Sequence, residues 1–88
     1  MHTELENWNN GWFGLQLGLN ALEIDVLIER LQMLKADPEQ HFHLTSTHRG
    51  AGGLGDVTIY VQVPSEPDNM EAIGDGAMAL GDNISSEV

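Results

Sequence analysis

Cysteine is absent from the 88 residues, and cations are nearly so. The first absence excludes disulfides, thiolate zinc sites and thiol nucleophiles. The second leaves three Lys and Arg against fourteen Asp and Glu, a formal charge of −11. Nucleic-acid phosphates and anionic membranes repel such a chain, whereas a basic protein is steered toward it. No apolar run approaches the roughly 20 residues that span a bilayer. Residues 1–10 are polar and acidic, without the basic region and apolar core of a signal peptide. The expectation is a soluble, cytoplasmic protein that binds neither nucleic acid nor membrane and has no cofactor.

What is present is a moderately apolar chain, 41% hydrophobic, whose apolar residues are dense and periodic over residues 11–63 and sparse beyond. A chain of this length makes one small domain with a modest stability margin. Residues 1–10 are read as a polar N-terminal arm, 11–63 as one domain and 64–88 as an acidic tail.

Within residues 11–19, Phe13, Leu15, Leu17 and Leu19 alternate with Trp12, Gly14, Gln16 and Gly18. Period two predicts a strand with the odd positions toward a core. Gly14 and Gly18 leave the opposite face flat, with Trp12 at its edge. A helix follows over residues 21–36. Asn20 and Glu23 have capping-box spacing. Ile24, Leu27, Ile28, Leu31 and Leu34 form an amphipathic stripe flanked by Leu22, Val26 and Met33. Glu23 and Asp25 in the first turn and Lys35 in the last suit the helix dipole. Pro38 disfavours helical geometry at Asp37 and ends the helix.

Phe42 and Leu44 alternate with His41, His43, Thr45 and Thr47 in a second strand, and a glycine-rich connection leads to a third over residues 56–63. There Val57, Ile59, Val61 and Val63 alternate with Thr58, Tyr60 and Gln62. The fold expected is α+β, strand-helix-strand-strand. The last two strands form a hairpin, and the helix packs on one face of a three-stranded sheet. The strand order is open between two arrangements, with the third strand favoured as central because it is the most apolar. The tail carries Glu66, Asp68, Glu71, Asp75, Asp82 and Glu87 and no cation. Met70, Ile73, Ala77 and Leu80 have helical spacing, but three glycines each cost a helix about 1 kcal/mol. A short helix over residues 69–79 and disorder are both open.

Candidate chemistry is sparse. Gly50, Gly52 and Gly55 match G-x-G-x-x-G, but that motif holds a pyrophosphate only where it opens a helix, and here a strand follows. The loop is read as a flexible hairpin connection. His41 and His43 share a strand face, with Asp37, Glu39 or His48 as conceivable third metal ligands. Two imidazoles without a defined third ligand read as semi-polar surface residues, and no metal site is assigned. Ser46, Thr45 and Thr47 lie near histidines, yet no nucleophile elbow accompanies them. The chain is not expected to be an enzyme.

The open sheet face carries Trp12, Gly14, Gln16, His41, His43, Thr45, Thr58, Tyr60 and Gln62, a composition like that of protein interfaces. The chain also resembles a small family of immunity proteins from bacterial polymorphic toxin systems. The resemblance rests on the first strand, the stripe around Leu27 and Ile28, His41-Phe42-His43-Leu44, and Gly52-Gly53-Leu54, and it covers residues 11–63. Members of that family carry a tryptophan before the paired glycines, where this chain has Ala51. The resemblance implies a non-enzymatic protein that binds and neutralises a cognate toxin, and no toxin-contacting residue transfers with it.

Nuclease toxins are cationic because they bind phosphates, so acidic charge would speed their capture. The partner-binding residues expected are Trp12 and Tyr60 as anchors and Glu66, Asp68, Glu71 and Asp75 as steering charges. Gln62, His41 and His43 complete the face. The alternative is a self-associating structural or regulatory module, a homodimer through the sheet face or through Leu22, Val26 and Met33.

Overall fold

A computed structural model describes residues 1–71. The element order is β1 (His2–Asn7), β2 (Phe13–Gly18), α1 (Ala21–Ala36), β3 (His41–Thr45) and β4 (Asp56–Tyr60). The architecture is α+β, with one helix and two separate two-stranded antiparallel sheets, β1–β2 and β3–β4.

The expected single three-stranded sheet is therefore corrected. Phe13–Gly18 is a strand, but it pairs with His2–Asn7, inside the segment read as a polar arm, and not with β3 or β4. Local pairing through a short turn closes a smaller loop than pairing across the helix, so it costs less chain entropy. Asn side chains build that turn. Asn7 Oδ1 accepts the Asn9 N–H at 2.8 Å, and Asn10 Oδ1 accepts the Trp12 N–H at 3.0 Å. Asn9, at φ 59°, and Gly11, at φ 94°, supply the left-handed geometry the reversal needs.

Thr3, Leu5 and Asn7 lie opposite Leu17, Leu15 and Phe13, so one face of β1–β2 is apolar and uncharged. The other carries His2, Glu4 and Glu6 against Gly18, Gln16 and Gly14. Here Gly14 has a steric reason. A Cβ at this position would stand 3.2 Å from the Trp8 indole and from the Glu6 carboxylate. The residue over the flat face is Trp8, whereas Trp12 lies in the turn.

Helix α1 has the expected bounds and the expected cap. The Glu23 N–H donates to Asn20 Oδ1 at 2.8 Å, and the Asn20 N–H donates to Glu23 Oε1 at 3.1 Å. At the other end the Asp37 N–H bonds Met33 O at 2.9 Å, and Pro38 permits no continuation. Hairpin β3–β4 also forms as expected, with strands shorter than the apolar alternation, ending at Thr45 and Tyr60. Phe42, Leu44, Val57 and Ile59 are half-buried on its inner face.

Burial is where pattern and structure part. Leu34, 5% exposed, is the one buried side chain among the described residues. Leu27 and Met33 are half-buried, while Leu22, Ile24, Val26, Ile28 and Leu31 of the same helix are exposed. At 3.6 residues per turn, Asp25, Glu29 and Gln32 make one polar strip and Glu23 and Arg30 a second, with apolar stripes on either side. A helix with apolar stripes on two sides seeks cover on both. The apolar faces of α1 and β1–β2 are both left uncovered. Residues 64–71 carry no helix or strand; the helix considered for residues 69–79 is thus not formed over 69–71, and its remainder lies outside the described residues.

Candidate partner-binding surface

The outer face of β3–β4 gathers most of the residues expected to bind a partner. Antiparallel register sets His41 beside Tyr60 and His43 beside Thr58. The two imidazoles meet edge to face, 5.0 Å between centroids. Three groups hold the lower part of this face. His43 Nδ1 lies 3.0 Å from Asp56 Oδ2 and 3.1 Å from Thr58 Oγ1. The hydroxyls of Thr58 and Thr45 donate to the same carboxylate at 3.0 and 3.3 Å. These bonds, His43 foremost, hold the Asp56 carboxyl below the usual aspartate range against a smaller desolvation effect that raises it.

Beyond Tyr60 the chain turns back so that the start of the tail packs beside the strand. The Glu66 N–H bonds Val63 O at 3.0 Å, and the Val63 N–H returns a bond to Glu66 Oε1 at 3.0 Å. The Tyr60 hydroxyl donates to Glu66 Oε2. Gln62 Nε2 donates both to Glu66 O at 2.9 Å and to Asp68 Oδ1 at 2.8 Å. Tyr60 is the main cause of a lowered Glu66 pKa, with the Val63 amide second. Reciprocally, Glu66 raises the Tyr60 phenol.

Two shallow hollows flank Tyr60. One, about 480 Å³, is lined by Tyr60, Gln62, Glu66, Pro67, Asp68 and Met70, among others. The other, about 430 Å³, is lined by His41, His43, Thr58, Tyr60, Val61 and Val63, with Pro38 to Gln40 at its rim. The carboxylates of Glu66 and Asp68 are thus fixed by neutral donors. The ion pairs among the described residues are the Met1 ammonium with Glu23 at 2.8 Å, His2 with Glu4, and His43 with Asp56. None of them uses Lys or Arg. The ammonium, ahead of the Asn20 amide, is also the main cause of a lowered Glu23 pKa.

Six of the nine expected residues, His41, His43, Tyr60, Gln62, Glu66 and Asp68, come together in this way. Trp12, 71% exposed, sits in the other hairpin and lines neither hollow. Glu71 is exposed in irregular chain, and Asp75 lies outside the described residues. Sequence reasoning missed Trp8 and Asp56. The Asn9-Asn10-Gly11 turn signal between Trp8 and Trp12 pointed to the first. The second required the β3–β4 register.

The glycine-rich loop runs from β3 into β4, a strand, as the reading against a dinucleotide site requires. Its Arg49 lines a small polar hollow of about 160 Å³. No cluster of three or more His, Asp or Glu stands at metal-binding distance among the described residues. No helix among them is long and apolar enough to cross a membrane. No protein-family model matches the chain, and neither does any curated protein or solved structure.

Proposed function

We propose that the chain is a non-enzymatic binding protein that captures a basic protein partner on the outer face of β3–β4. The observation that carries this reading is the set of Glu66 and Asp68 carboxylates, pinned by Tyr60, Gln62 and the Val63 amide and not neutralised by any Lys or Arg. Carboxylates held by neutral donors keep their full charge and lose little side-chain freedom on binding. The exposure of Tyr60 between two hollows supports a role for it as the aromatic anchor.

The resemblance of residues 11–63 to toxin-immunity proteins makes a cationic toxin the partner of choice, with neutralisation by occlusion as the mechanism. Net charge of −11 supplies long-range steering, and the fixed carboxylates supply register. A cytoplasmic site of action belongs to the same proposal.

The test is a pull-down from lysate of the source organism at low and high salt, with association rates measured for the protein retained. A cationic partner is expected whose association slows at least tenfold between the two salts. Paired Glu66→Gln and Asp68→Asn changes should slow it at low salt as well. Capture that ignores both salt and these carboxylates would sink the reading.

A further inference from the structure

Two uncovered apolar surfaces remain that the acidic face does not use. One is the row Ile24, Ile28 and Leu31 on α1, at i, i+4 and i+7. The other is the β1–β2 face with Leu5, Phe13, Leu15 and Leu17. We propose that a second copy of this chain covers them, the β1–β2 face of each copy lying on the helix row of the other. A helix row and an apolar sheet face are the two halves of an ordinary helix-on-sheet layer. Each chain carries both and leaves both uncovered, so a two-fold arrangement satisfies all four surfaces at once.

Size and charge select this occupant. The seven side chains are 40–61% exposed, and each leaves on the order of 80 Å² to cover. With the rim around them, two copies reach the roughly 1,200–2,000 Å² of a stable interface. The charge is distributed to permit it. Thr3, Leu5, Asn7, Phe13, Leu15 and Leu17 include no ionisable group, and the helix row continues into Lys35, not into a carboxylate. The acids of α1 lie elsewhere on its circumference. Self-repulsion between two chains of −11 therefore acts at long range only, where salt screens it.

That gives the salt dependence opposite to the one expected for the basic partner: self-association strengthens as salt rises. Sedimentation equilibrium on the full chain should give twice the 9.6 kDa monomer mass, with a tighter dimer at high salt. Leu15→Asp and Ile28→Asp should each weaken the dimer at least 100-fold, while Gln16→Glu, on the opposite face of β2, leaves it unchanged. Far-UV circular dichroism separates loss of the dimer from loss of the fold.

Because the chain has no cysteine, Leu15→Cys chains mixed with Ile28→Cys chains supply an independent readout. Under mild oxidation the mixed disulfide should outnumber both self-disulfides. A monomer at every concentration and salt overturns the inference. So does a dimer that tolerates both aspartate changes, or one whose cross-links form only between like chains. The acidic-face reading stands or falls separately, through Glu66 and Asp68.

Discussion

The two hairpins share a pattern and differ in fate. Both alternate apolar and polar residues with period two, and both are antiparallel pairs. In β3–β4 the apolar residues Phe42, Leu44, Val57 and Ile59 are half-buried, and a groove of about 460 Å³ lies between Phe42 and Leu44 on one side and Leu22, Val26 and Leu27 of α1 on the other. In β1–β2 the corresponding Leu5, Phe13, Leu15 and Leu17 are exposed. Alternation states which side of a strand seeks cover. It does not state what supplies the cover, and here the Ile24, Ile28 and Leu31 row of α1 is left exposed as well.

The comparison breaks most sharply at Leu34. Truncating a buried leucine costs the transfer energy and the cavity left behind, so Leu34→Ala should destabilise the fold by about 3 kcal/mol in urea unfolding. Leu15→Ala, at 49% exposure, should cost the monomer under about 1 kcal/mol. Similar losses from the two changes would mean that β1–β2 is as well covered as the helix end. Hydrogen exchange sharpens the point, because Leu34→Ala should deprotect α1 amides more than those of β1 and β2.

A smaller contrast lies in acid. Asp56 has its pKa lowered in the folded state, so the stability it contributes is present above the unfolded value of about 3.9 and is lost as pH falls through the folded one. Amide resonances of β3 and β4 should therefore lose protection below about pH 4. Asp56→Asn should remove that component of the pH dependence. A profile identical to that of the unchanged protein would show that the His43–Asp56 pair does not stabilise the hairpin.

The smallest effect expected is spectroscopic. A Cβ at position 14 stands 3.2 Å from an indole that is itself 55% exposed and able to give way. Gly14→Ala should shift Trp8 fluorescence toward that of a solvated indole, at a stability change within about 0.5 kcal/mol. An unchanged spectrum would show that Trp8 does not rest on β2.

Legibility followed the range of the interaction. Helix α1 was readable to the residue, because Asn20, Glu23 and Pro38 act within one turn of themselves. Hairpin β3–β4 was readable because Val57 and Ile59 alternate cleanly, although its strands stop before Val61 and Val63. Strand β1 was not, since His2, Glu4, Glu6 and Asn7 have poor strand propensity and only Leu5 marks a large apolar side. Without β1, the alternation in β2 points to a partner across the helix, whereas its partner is the weakly marked strand just before it. At the proposed binding surface, Tyr60 and Gln62 are legible as one strand face from their spacing, whereas the turn that brings Glu66 and Asp68 back onto them is not. The placement of Asp56 beneath His43 was not, because it depends on strand register.

The connection between β3 and β4 carries one more implication. The Ser46 N–H bonds Gly55 O at 2.9 Å and closes the hairpin at its base. Above that latch, a Cβ at Gly50, Gly52 or Gly53 would meet nothing within 4 Å. Doubling the length of such a flexible span adds only about 0.6 kcal/mol of closure cost. The segment is thus a natural port for cargo: a peptide tag or reporter spliced in there would ride on the hairpin without entering its ladder.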